Sequence, residues 1–131
     1  MTHPEAATAA VHQLRRVRVL LVGTDARFLR VAGALLAGEG HVVQTSERVA
    51  ELLELVYRLQ TDVAVIDASG SVPQAARAAA SLRALPVPVA AVLVADEDRI
   101  PSVGPAVLAK WGCFDELSAC VQAAYDLHES V

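Results

Sequence analysis

Two cysteines in 131 residues are too few for a disulfide scaffold, and Cys113 and Cys120 form no C-x-x-C pair, so both read as buried thiols. The four histidines, at 3, 12, 41 and 128, show no ligand-like spacing, and no metal is expected on them. Basic residues are outnumbered, 11 against 15 acidic, and lie scattered. That excludes a nucleic-acid footprint and a surface for anionic lipid. The longest apolar stretch, Pro86 to Ala95, is about half a membrane span. The N-terminus lacks the basic-then-apolar pattern of a signal peptide, so a cytoplasmic location is expected. Also missing are a G-x-G-x-x-G, a glycine-lysine phosphate loop and any Ser-His-Asp or Cys-His grouping. Gly23 alone is a poor phosphate cradle. Neither catalysis nor a cofactor is expected.

What the chain does have is a core. Hydrophobic residues make up 54% and charged residues 20%, enough for one compact domain and too short for two. Strand-like and helix-like segments alternate along it. Arg16 to Val22 is apolar and β-branched, and Phe28, Val31, Ala32, Leu35 and Leu36 follow at the spacing of one helical face. Asp25 is placed to cap that helix, with Gly38 and Gly40 ending it before a short strand, His41 to Gln44. Ser46 or Thr45 then caps a second helix, with Val49, Leu52, Leu53 and Val56 inward. Asp62 to Asp67 reads as a buried strand, and the alanine-rich stretch from Pro73 to Leu85 as a helix. A strand from Val89 to Ala95 follows. Pro101, Gly104 and Pro105 then leave room for only a turn or two of a fourth helix. Ala106 to Ala109 forms the last strand, and Leu117, Cys120, Val121 and Ala124 mark a closing helix.

Five apolar strands separated by helices imply an α/β fold, a doubly wound parallel sheet of flavodoxin-like type. Ligands of such sheets gather at the carboxyl ends of the strands, near the switch in strand order. Here those ends are Gly23, Thr24 and Asp25, then Asp67, then Val94 and Ala95, then Lys110. An ionised residue closing a buried strand needs a partner. Lys110, the single lysine of the chain, can supply one for Asp67. The plainer alternative is that Asp67 caps the turn before Ser69-Gly70.

At these positions the chain resembles the receiver domain of response regulators, over roughly residues 17 to 127. "VAVIDAS" places Asp67 where the family carries its phospho-accepting aspartate. "VLAKWGCFDEL" places Lys110 at the end of the last strand with Glu116-Leu117 following at the family's spacing. "LLVGTDARFL" supplies the first strand and turn, and the glycine turn into Val42-Val43 falls where receivers carry one.

Departures from the family pattern are equally informative. Receivers carry two adjacent carboxylates after the first strand to hold Mg²⁺, and those positions are Gly23 and Thr24 here. Asp25, one residue on, is expected to be engaged with backbone N–H groups as a helix cap. The hydroxyl that hydrogen-bonds the phosphoryl group aligns with Val94, and the switching aromatic with Val107. Trp111 replaces the proline that follows the lysine, so a trans peptide is expected there. The fourth helix should be stunted.

The resemblance therefore implies a pseudo-receiver: a binding module without Mg²⁺-dependent phosphorylation, acting on another protein or on a second copy of itself. Its candidate interface is the face built from the short fourth helix, the last strand and the closing helix, where Trp111 and Phe114 serve as partner anchors unless they belong to the local core. The alternatives are an atypical phospho-acceptor using Asp67 and a small-ligand binder on a flavodoxin-like fold. Residues 1–16 form an N-terminal extension to the receiver-like domain, 17–131. They read as a tail or as a short amphipathic helix with Pro4 at its start and an Ala7, Val11, Leu14 stripe.

Overall fold

A computed structural model of the chain describes residues 16–104, 106–111 and 114–129, with residues 114, 115, 128 and 129 described by backbone. The expectations for residues 1–15, for Cys113 and for the Phe114 side chain lie outside the described residues. Strands β1 (Arg18–Val22), β2 (Val42–Ser46), β3 (Val63–Asp67), β4 (Ala90–Ala95) and β5 (Val107–Ala109) form one parallel sheet in the order β2-β1-β3-β4-β5. The chain steps from β1 outward to β2 and returns to the other side of β1 for β3, so strand order reverses between β1 and β3. Helices α1 (Ala26–Gly38), α2 (Leu52–Leu59) and α3 (Val72–Arg83) join the first four strands, and a closing helix spans Phe114–Glu129.

Two apolar layers hold the sheet, one on each face. Leu20, Val22, Ala64 and Ile66 point toward α2 and α3, meeting Leu52, Val56, Ala79 and Leu82. Val19, Leu21, Val63 and Val65 point the other way, onto Phe28, Ala32 and Leu36 of α1 and Leu117, Val121 and Tyr125 of the closing helix. Burial on both faces explains why the strands are apolar without alternation. No helix among the described residues is long and apolar enough to cross a membrane.

Several boundaries differ from expectation, each for a local reason. In α1 the buried residues are Phe28, Leu29, Ala32, Gly33 and Leu36, whereas Leu35 is exposed. Gly33 lies on the buried side, where a Cβ would stand in ordinary contact with Leu21, Val43 and Thr45 at 3.6 to 3.7 Å, so the helix lies with its glycine side against β1 and β2. Gly38 is helical, and Gly40, at φ +98°, makes the left-handed stop. Thr45 and Ser46 belong to β2, paired with Leu21 and Val22, and neither caps α2. The Ser46 hydroxyl accepts from the Arg48 N–H instead, and α2 is entered through a 3-10 turn, Val49–Glu51, with no side-chain cap. That turn rotates Val49 and Leu53 outward and leaves Leu52, Leu55 and Val56 inward. Ser71 caps α3 by accepting from the Gln74 N–H at 3.3 Å, with Pro73 in the first turn. The fourth helix is a single 3-10 turn, Glu97–Arg99. Cys120 is half-buried rather than buried, because Tyr125, Val121 and Leu117 form the stripe of the closing helix that meets the sheet. The described residues contain no cis peptide, and Lys110-Trp111 is trans as expected.

Candidate functional site at the carboxyl end of the sheet

Three strand ends and one helix start converge on a single ammonium group. Lys110 follows β5, its backbone N–H donating to the Ala95 carbonyl at 2.8 Å, which ties it to the end of β4. Its side chain is 3% exposed. Nζ lies 2.8 Å from Asp67 Oδ2 at the end of β3 and 2.8 Å from Asp25 Oδ2 at the start of α1. Asp96 Oδ1 stands 3.7 Å away, within ion-pair range but too long for a hydrogen bond. The face of Phe28 lies beneath, its centroid 5.4 Å from Nζ.

Asp25 and Asp67 are each held by their other oxygen. Asp25 Oδ1 accepts from the Phe28 N–H at 3.1 Å and so caps α1, while Asp67 Oδ1 accepts from the Ser69 N–H at 3.0 Å. The Ser69 hydroxyl in turn accepts from the Asp96 N–H at 3.0 Å, joining the loops after β3 and β4. Coulomb attraction at 2.8 Å is worth about 6 kcal/mol per pair at an effective dielectric near 20, against several kcal/mol to desolvate an ammonium. With two such partners the attraction wins. Burial alone would lower the Lys110 pKa, but the hydrogen bonds its ammonium donates to Asp25 and Asp67 raise it above the ordinary lysine value. Asp25 is held below the usual carboxylate range, first by Lys110 and then by the Phe28 N–H.

The sequence-selected residues separate into two groups. Asp25, Asp67 and Lys110 meet, and Gly23 adjoins them. A Cβ on Gly23 would fall 2.6 Å from Asp67 Cβ, closer than side-chain carbons approach, so glycine is what lets β1 and β3 close on each other. Thr24 is exposed. Val94 turns away from the site into the layer beneath α1 and the closing helix, 1% exposed, and Val107 packs on the layer beneath α2 and α3. Trp111 lies at the rim, 40% exposed. It stands edge-on to Phe28 with centroids 5.7 Å apart and the Arg27 guanidinium 5.2 Å from its ring. Sequence reasoning missed Asp96 and the linking role of Ser69. The only signal for Asp96 was its place one residue beyond β4, at the same end of the sheet.

Solved structures with this architecture are numerous. The chain superposes on a sensor protein from Polaromonas sp. JS666 with a TM-score of 0.69 and 20% identity, covering 87% of this chain and 99% of that one. A response regulator from Thermotoga maritima gives 0.68 and 13%, over 86% and 99% of the two chains. An orphan response regulator of H. pylori gives 0.65 and 15%, over 85% and 99%. This is the receiver fold. At such identities the likeness is one of architecture, and no protein-family profile and no curated protein matches the chain.

The receiver fold raises the question of Mg²⁺, and the residues present do not fit it. Gly23 and Thr24 offer no carboxylate, and a longer side chain at Gly23 would collide with Asp67. Asp25 and Asp67 both already bond the Lys110 ammonium, whose charge opposes a divalent ion at the same oxygens. Among the described residues no group of three His, Cys, Asp or Glu side chains has the geometry to hold a metal ion. Lys110 supplies the positive charge of the site.

Proposed function

We propose that the chain is a signalling module of the receiver type that acts through contact with another protein or a second copy of itself, without Mg²⁺-dependent phosphoryl transfer. It is a pseudo-receiver and not an enzyme. The observation that carries this reading is the Lys110 ammonium, bonded at 2.8 Å to both Asp25 and Asp67. Phosphoryl transfer to a carboxylate needs a cation to gather the charge on the transferring group. Here the cation is spent on two carboxylates, and with three of them around one ammonium the site has an excess of negative charge that repels a phosphodonor. Trp111, partly exposed against Phe28 and Arg27 at the start of α1, supplies an aromatic anchor for a partner.

The second reading, a phospho-acceptor, is favoured by one observation: Asp67 ends its strand beside the lysine, as the family's acceptor does. Intact-mass measurement after incubation with Mg²⁺ and phosphoramidate separates the two. The pseudo-receiver gives no adduct. A stoichiometric adduct that disappears in Asp67→Asn establishes the phospho-acceptor instead.

A further inference from the structure

At the end of the sheet opposite Lys110, a pocket of about 220 Å³ opens between the starts of β1 and β2 and the last turn of α2, with Arg18, Gln44, Arg58, Gln60 and Thr61 in its lining. Side chains alternate across a strand, so Arg18 and Gln44 share the face of Leu20 that α2 covers. From the helix side, Arg58 stands in the last turn of α2, and Gln60 ends the helix at φ 53°, a left-handed position where the usual glycine would bring no amide. The Thr61 N–H then donates to the Val56 carbonyl at 3.0 Å and closes the turn. Asp62 ties it to β1, its Oδ2 accepting from the Arg18 N–H and its own N–H donating to the Arg18 carbonyl, each at 2.8 Å.

Among the described residues, three donor groups of this pocket lack an acceptor. Ion pairs there are made by Arg48 and Lys110, so the guanidiniums of Arg18 and Arg58 have no carboxylate, although acids outnumber bases by 15 to 11 in the chain. Asp62 lines the adjoining groove instead, with Oδ2 already engaged. Thr61 is 8% exposed, yet its hydroxyl has no hydrogen-bond partner among the described residues and is not sealed from the pocket. Polar groups so buried are normally bonded.

Guanidiniums donate hydrogen bonds and accept none, which selects an anion. Two uncompensated positive charges match a dianion better than a single carboxylate, and paired forks of donors suit the oxygens of a phosphate. The pocket is smaller than the roughly 300 Å³ at which sites for drug-sized ligands begin, so it takes one such group and not a nucleotide. We propose that it binds a phosphate dianion, free or as the monoester end of a small molecule, with Arg18 and Arg58 on its oxygens and the Thr61 hydroxyl donating to it. Occupancy there is independent of the reading given to the Lys110 site.

Titration of the full chain with sodium phosphate at constant ionic strength and about pH 8, where the dianion predominates, tests it by NMR. The amides of Arg18, Gln60 and Thr61 and the Nε of Arg58 should shift saturably, and those of Asp67 and Lys110 should stay. Arg58→Gln should weaken binding about tenfold, and Thr61→Val, which keeps the shape of the side chain, several-fold. Arg30→Gln, at an exposed arginine of α1, should change nothing. Glycerol 3-phosphate separates the sources: tighter binding than phosphate assigns the monoester, weaker binding the free ion. Shifts that never saturate, that persist unchanged in Arg58→Gln, or that acetate produces as strongly at equal concentration overturn the proposal.

Discussion

Lys110 is the residue on which the carboxyl end of the sheet depends, because its side chain and that of Asp67 are 3% and 5% exposed. Removing Lys110 leaves the buried Asp67 charge uncompensated, whereas removing the Asp67 charge leaves Lys110 still paired with Asp25. Lys110→Met should therefore destabilise the protein by about 3 kcal/mol in urea unfolding, and Asp67→Asn by less. The double variant should show a coupling energy of about 1 to 3 kcal/mol, and a coupling near zero would mean that the two groups do not interact in solution. Asp25 gives a pH signature. Its folded pKa is depressed, so its contribution is fully present above the ordinary aspartate value of about 3.9 and is lost as pH falls through the lower, folded value. Asn caps a helix as well as Asp does, so Asp25→Asn removes the charge and keeps the cap. The stability gap between native and variant protein should be constant from neutral pH to about 5 and close only in stronger acid. For Lys110, whose pKa is raised, the sign is opposite. Its contribution holds below the ordinary lysine value of about 10.4 and falls as pH rises above it. The Asp67–Lys110 pair was legible in the sequence because an acid and the chain's single lysine each end a strand. Asp96 was not, since an acid in a short exposed turn looks like any solvated charge.

Among the elements, the meeting of β1 and β3 sets the shape of the site. With 2.6 Å between a Cβ on Gly23 and the Asp67 Cβ, Gly23→Ala must displace one strand end, at a cost of about 1 to 3 kcal/mol. Chemical denaturation checks this, and a loss below about 0.5 kcal/mol would show that the strands are not so close. Sequence patterns conveyed the order and type of the elements well and their margins less well, for reasons visible in particular residues. Gly33 carries no apolar weight, so the roll of α1 onto its glycine side was invisible to a count of hydrophobic residues. Gln44, Thr45 and Ser46 are polar because β2 is an edge strand with exposed positions, and the last two looked like a helix start. Trp111 was left open between core and surface. It takes both parts, standing edge-on to buried Phe28 while 40% of it stays exposed. As the chain's single tryptophan it should therefore be quenched by acrylamide, and emission wholly shielded from quencher would place it in the core.

At the scale of the molecule, the five-stranded order and the two helical layers are those of the receiver fold, and three carboxylates at the carboxyl end gather around one lysine. The central claim is that the positive charge of this site is supplied by Lys110 and not by a divalent cation. Magnesium titration reads this directly, following Trp111 emission and the backbone amide shifts of Gly23, Asp67 and Lys110. The account predicts no saturable change through millimolar Mg²⁺, beyond the weak drift that added ionic strength causes at surface charges. A saturable shift of those amides that is lost in Asp67→Asn would contradict it.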